Sequence, residues 1–100
     1  MKESDLQNKI MVYLNDHPKV AWCMVTTTGM VKSKGFRMTV GFPGLSDIIG
    51  QLTDGRTLAI EVKLPGKKPT SVQESFLQTV SDNSGVSGWV DSVEGLNGLI

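Results

Sequence analysis

Residues 57–64 read TLAIEVKL, and the placement of this octet decides the fold. Successive side chains of an extended chain point to opposite sides, so Leu58, Ile60, Val62 and Leu64 form one apolar face while Ala59, Glu61 and Lys63 share the other. The apolar face belongs to a core. The charged face has two readings: a half-solvated sheet surface, or a site where a carboxylate and an ammonium are held together for chemistry.

Just upstream, Asp47 to Leu52 has a second such pattern, and the segment TDGR (53–56) lies between the two. Asp-Gly between strand patterns is a hairpin signal, so the strands are expected to be antiparallel neighbours. Loop length then sets the register. A two-residue Asp54-Gly55 turn pairs Leu52 with Thr57 and Asp47 with Val62, which leaves Asp47 away from Glu61. A three-residue loop or a β-bulge shifts the pairing by one and brings Asp47 opposite Glu61 or Lys63. The core pattern favours the shift, because Leu58, Ile60 and Val62 then share a face with Ile48 and Leu52.

Further out, Leu6, Ile10, Tyr13 and Leu14 fall at helical spacing, with Ser4 and Gln7 in capping-box positions and His17-Pro18 as a stop. Val20 to Thr27 reads as a buried strand, followed by a loop GMVKSKG and a strand-like piece FRMTV. GFPG breaks the chain before Asp47, and PGKKP is a rigid basic loop after Leu64. A second helix is expected from Thr70 or Ser71, with Ser71 and Glu74 in capping-box spacing and Val72, Phe76, Leu77 and Val80 facing the core. GWVDS reads as a last short strand, and Val93 to Ile100 as a tail with a helical turn. The class is α/β in the broad sense, an α+β mixed sheet: one central sheet flanked by helices, in a single domain over 1–100.

Composition limits what the charged face can do. With 39% hydrophobic and 20% charged residues the chain is ordinary for a soluble globular domain, and its apolar run Val20 to Val25 is too short to span a bilayer. A cytoplasmic protein with no membrane partner is expected. One cysteine, Cys23, and one histidine, His17, exclude an internal disulfide and a His/Cys zinc site in a single chain. Cys23 is read as a small buried hydrophobe rather than a nucleophile. Net charge is zero, yet Lys32 to Lys68 holds seven basic residues against three acidic ones.

Two carboxylates and a lysine at one sheet edge, beside Lys67, Lys68 and Gln73, suit Mg²⁺ or Mn²⁺, hard cations that bind through carboxylates and substrate phosphate. Asp47, Glu61 and the Val62 carbonyl are the candidate metal ligands. Such an ion acidifies water and offsets charge on a phosphodiester, Lys63 orients or deprotonates the water or stabilises the transition state, and Gln73 positions water or phosphate.

The set Gly44-Leu45-Ser46-Asp47, thirteen residues, Glu61-Val62-Lys63, then Gln73 in the following helix resembles the PD-(D/E)xK nuclease superfamily. With Glu3 and Gln7 in the first helix, the chain is similar to stand-alone VRR-NUC proteins of phage or prophage type. The resemblance covers nearly the whole chain. It implies a restriction-endonuclease-like αβββαβ core and a metal-dependent DNA endonuclease with Asp47, Glu61, Lys63 and Gln73 catalytic, and Glu3 as a possible further metal ligand. Ser46 stands where the family usually has proline, which touches turn rigidity more than catalysis. The resemblance further implies a homodimer acting on branched DNA such as Holliday junctions.

Lys32, Lys34, Arg37, Lys67 and Lys68 are the candidate DNA-binding residues, of the kind that contact phosphate without reading bases. Trp22, Met24, Met30, Phe36, Met38, Phe42 and Trp89 supply candidate dimer surface, with Met30, Phe36 and Phe42 foremost. Three other readings stay open: a non-catalytic DNA-binding or assembly subunit, a nuclease of another substrate class (flap, restriction-type or RNA), and a protein-interaction domain with a solvated charged strand.

Overall fold

The structure, a computed structural model, describes residues 1–26 and 43–100 in full, and the backbone alone of 29–33 and 36–40. Helix α1 spans Glu3–Asp16 and buries Leu6, Ile10 and Leu14, the heptad-like stripe expected of it. It begins ahead of the expected Ser4 cap: Lys2 is the N-cap, and Asp5 Oδ2 accepts the Lys2 N–H at 3.1 Å, so Ser4 lies inside the first turn. The carboxylates of Glu3 and Asp5 sit at the positive end of the helix.

Strand β1 (Val20–Val25) is followed by β2 (Gly29–Ser33) and β3 (Phe36–Val40), which pair with each other as a separate antiparallel ribbon with Ser33 opposite Phe36. GMVKS, expected as loop, is therefore strand: β-branched Val31 and the partner FRMTV give it a ladder that a linear reading does not supply. Then come β4 (Ile48–Leu52), β5 (Thr57–Val62), α2 (Ser71–Asp82), β6 (Val86–Val90) and a 3-10 turn at Glu94–Gly98. Strands β1, β4, β5 and β6 form one mixed sheet in that order, antiparallel except for the parallel β5–β6 pair. Setting the ribbon aside, the order is αβββαβ, an α+β fold with a mixed sheet flanked by two helices.

The hairpin register resolves the question raised by Asp54-Gly55. Ile48 pairs with Ile60 and Gln51 with Thr57, the register that places Asp47 beside Glu61. Leu52 N–H donates to the Arg56 carbonyl at 2.8 Å and Gly55 N–H to the Leu52 carbonyl at 2.9 Å, so Thr53, Asp54 and Gly55 form a three-residue loop. Gly55 at φ +94° supplies the left-handed step that such a loop ends on.

Both faces of the sheet are covered, in different ways. Leu58, Ile60, Val62, Ile48 and Leu52 pack with α1 and with Val90 and Leu96 in the larger core cluster, and Leu96 fixes the 3-10 turn against it. On the opposite face Ala59 packs with Leu77 and Val80 of α2, with Ile49 and Phe76 alongside. Val72, expected in the core, is exposed, because the face of α2 that meets the sheet runs through Gln73, Leu77 and Val80. Helix α2 contacts β5 and β6, so β1, expected as a buried strand, is an edge strand with Trp22 and Met24 exposed. Cys23 is half-buried, its Sγ 3.4 Å from Asn15 Oδ1 and 3.9 Å from Met11 Sδ beneath α1; burial raises the thiol pKa, in keeping with an unreactive role. Among the described residues no helix is long and apolar enough to cross a membrane.

Candidate active site

The charged face of TLAIEVKL is the α2 face, and it is not solvated: Glu61 is only 2% exposed. Three elements converge there. Strand β4 is preceded by Asp47, whose backbone is held by the end of β1: Thr26 N–H donates to the Asp47 carbonyl at 2.8 Å, and Thr26 Oγ1 donates to the Ser46 carbonyl at 2.7 Å. Ser46 is fully buried and its Oγ donates to the Ile48 carbonyl at 2.9 Å. Two hydroxyls, Thr26 on the Ser46 carbonyl and Ser46 on the Ile48 carbonyl, thus brace both sides of Asp47 in a turn that proline would stiffen through φ. Gly44, at φ +82°, lies where any Cβ would collide with the Val72 carbonyl, so the loop before Asp47 packs directly on the first turn of α2.

The Asp47 carboxylate accepts the Val62 N–H at 2.9 Å through Oδ2. Lys63 N–H goes the other way, to the Val90 carbonyl of β6 at 3.0 Å. A strand residue directs its N–H and C=O to the same side, so the Val62 carbonyl, the third candidate ligand, is on the Asp47 side of β5. Helix α2 contributes Gln73, which does two jobs. Its Oε1 accepts the Thr70 N–H at 2.9 Å, completing a capping box with Thr70 Oγ1, and its Nε2 donates to Glu61 Oε1 at 3.2 Å. The cap is Thr70 with Gln73 rather than Ser71 with Glu74, one residue earlier than expected, and that shift aims Gln73 at the sheet.

Lys63 Nζ stands 4.0 Å from Glu61 Oε1 with its side chain 16% exposed. Glu61 Oε2 is buried and has no hydrogen-bond partner among the described residues. Burial raises the Glu61 pKa to about 8; the neighbouring Asp47 carboxylate adds to this, Glu3 adds a further repulsion, and Lys63 opposes it. The structure therefore brings Asp47, Glu61, Lys63 and Gln73 together. Glu3, half-buried at the start of α1, is close enough for its charge to act on Glu61, but among the described residues no group of three or more His, Cys, Asp or Glu side chains gathers as a metal cluster.

A donor-less buried carboxylate oxygen beside a second carboxylate is a fit for a hard divalent ion, and the oxygen-only donor set of Asp47, Glu61 and Val62 is the kind Mg²⁺ and Mn²⁺ take. Lys67 and Lys68 are exposed on the β5–α2 connection, just past a turn closed by Lys67 N–H on the Leu64 carbonyl at 3.0 Å. Lys34 and Phe42, and the side chains of Lys32, Arg37, Met30, Phe36 and Met38, lie outside the described residues. Two cavities of about 450 and 420 Å³, one beside Leu64 and Pro65 and one between Lys19 and Arg56, include none of the four candidate residues. Residue reasoning missed the Thr70 cap and the Thr26 and Ser46 bonds; the Thr70-x-x-Gln73 spacing was the available signal for the first. Compared with protein families, curated proteins and solved structures, the chain matches none of them.

Proposed function

We propose that this chain is a Mg²⁺- or Mn²⁺-dependent DNA endonuclease of the VRR-NUC type, hydrolysing phosphodiester bonds as a homodimer with preference for branched DNA. The observation that carries this reading is Glu61, buried with one oxygen held by Gln73 and the other without a donor beside Asp47. A carboxylate buried with one oxygen unpaired, beside a second, half-buried carboxylate, is a stability loss that an apolar residue in the same strand avoids, so a ligand at this position is the simplest account of it. The αβββαβ order and the Asp47, Glu61, Lys63, Gln73 set in their expected elements support the same reading.

Asp47, Glu61 and the Val62 carbonyl would hold the ion. When bound, it supplies Lewis acidity at the scissile phosphate. The chain's own groups do the rest. The Val62 N–H and Gln73 amide fix the orientation of the two carboxylates, while the Lys63 ammonium orients water or offsets charge on the pentavalent phosphate. Lys67 and Lys68 hold the DNA backbone by charge. One site on a domain of this size cuts one strand, and a twofold dimer presents two sites to a branched substrate.

The test is cleavage of labelled four-way junction, flap, single-stranded and linear duplex DNA in Mn²⁺, Mg²⁺ or EDTA, with Asp47→Ala, Glu61→Ala and Lys63→Ala alongside. The expected result is metal-dependent cutting confined to branched DNA, lost by a factor of about 100 or more in each variant with the fold retained. Full activity in any of the three variants would sink the site assignment. Binding without cutting would move the protein to the non-catalytic subunit class.

A further inference from the structure

Trp89 is the register partner of Glu61 across the parallel β5–β6 pair, so its indole stands on the same sheet face, one strand spacing from the buried carboxylate. The neighbouring position on that face, Ser87, confirms the side: its Oγ donates to the Leu77 carbonyl of α2 at 2.6 Å. Beyond Trp89 the sheet ends, because β6 is its edge strand. Although α2 lies over β6, Trp89 is 40% exposed, and its indole N–H has no hydrogen-bond partner among the described residues. A large aromatic on the rim of a site with a buried carboxylate is poorly explained by packing alone, since the cores on both faces close without it.

We propose that Trp89 is a stacking platform for an unpaired nucleobase next to the scissile phosphate. The inference rests on the nuclease reading above and narrows its substrate class: DNA that offers an unstacked nucleotide at the cut, as at a branch point or a single-stranded tail, rather than continuous duplex. The geometry favours this occupant. A phosphate placed against Lys63 and the ion proposed at Asp47 and Glu61 has its own sugar and base within one nucleotide of that position, and Trp89 is the nearest exposed aromatic on the same face in the described structure. A base in continuous duplex is stacked on both sides and has no free face to give; an unpaired one has. The exposed Lys67 and Lys68 sit on the connection into α2 and supply the charge that tracks the backbone.

Trp22 provides an internal control. It lies on β1 at the far end of the sheet, opposite Gln51, and its Nε1 donates to Gln51 Oε1 at 3.1 Å. In a Trp22→Phe background the only indole is Trp89, so its emission reports directly on that position. This protein is titrated in Ca²⁺, which fills oxygen sites of this kind without supporting Mg²⁺-type cleavage, with blunt duplex, with the same duplex carrying a three-nucleotide single-stranded tail, and with a four-way junction; binding by Trp89→Ala and Trp89→Phe is followed by anisotropy of labelled DNA, and cleavage in Mn²⁺ is measured in parallel.

The expected result is quenching of Trp89 by the tailed and branched DNA and not by the blunt duplex. Trp89→Ala is expected to weaken binding of the first two by about five- to a hundredfold, with Trp89→Phe close to the parent and duplex binding unchanged. Equal weakening for all three DNAs overturns the stacking role. Emission that changes with protein concentration before DNA is added shows that a second copy covers Trp89, and also overturns it. Metal-dependent cleavage without any quenching leaves the nuclease reading standing and removes this one, whereas loss of both binding and cleavage in the parent removes the nuclease reading itself.

Discussion

Glu61 titrates far from its usual range because it is buried beside Asp47, with Glu3 adding repulsion and Lys63 compensating only in part. Its pKa rises from 4.5 to about 8, and the sign of the consequence follows from proton counting. Between those two values the folded chain keeps a proton that the unfolded chain has released, so folding stability falls as pH rises through that window. Glu61→Gln removes the titration. Urea denaturation at pH 4 should give nearly equal stability for variant and parent, whereas at pH 8 the variant should be more stable by on the order of a few kcal/mol. Parallel stability curves for the two proteins across this range would show that Glu61 is not held as a buried acid. The alternation that puts Glu61 and Lys63 on one face was legible in TLAIEVKL. The burial of Glu61 was not, since it depends on α2, which arrives from the far side of the PGKKP loop.

The element that decides the site is the hairpin from β4 to β5. Its sequence allowed either a two-residue or a three-residue loop, and the larger core made the choice, because only the odd loop puts Ile48 and Leu52 on the side of Leu58, Ile60 and Val62. Gly55 carries the strain of that choice. A Cβ at Gly55 meets nothing within 4 Å, so Gly55→Ala costs only the left-handed backbone, about 1 kcal/mol, and should leave cleavage and metal response intact. Gly44→Ala differs. It combines a positive φ with a collision against the Val72 carbonyl, and should lower stability by about 2 kcal/mol or more while displacing the turn that presents Asp47. Thermal melts and cleavage rates for the pair separate the two effects; equal behaviour would remove the role assigned to the Gly44 contact. Strand β1 differs from its expected burial for an element-scale reason: Trp22 to Val25 is apolar enough for a two-sided strand, but α2 contacts mainly β5 and β6 and leaves Trp22 and Met24 exposed.

For the molecule as a whole, the cation proposed at Asp47 and Glu61 would link folding to metal and to pH. A ligand that binds only the folded chain stabilises it by mass action, about 2.7 kcal/mol at a hundred times its Kd, which for a domain of this size is a rise in Tm of roughly 10 °C or more. Because such an ion would take the ionised form of Glu61, its binding would release a proton and strengthen as pH rises toward 8. Mn²⁺ should therefore raise Tm more at pH 8 than at pH 6, and should do so in neither Asp47→Ala nor Glu61→Ala. A shift that persists in both variants would place the ion elsewhere.

Local order is written in the residues: two amphipathic helices, the strands at 48–52 and 57–62, the turn between them, and the face that Glu61 and Lys63 share. These follow from periodicity and turn chemistry, which act over a few residues. The core pattern already favoured the register that sets Asp47 beside Glu61; what depended on tertiary structure was the burial of Glu61 under α2, its capture by the same Gln73 that caps the helix, and the exposure of Trp89 at its side. Each of these depends on which surfaces are covered when the helices close on the sheet, and that competition between core faces is settled by contacts far apart in the chain.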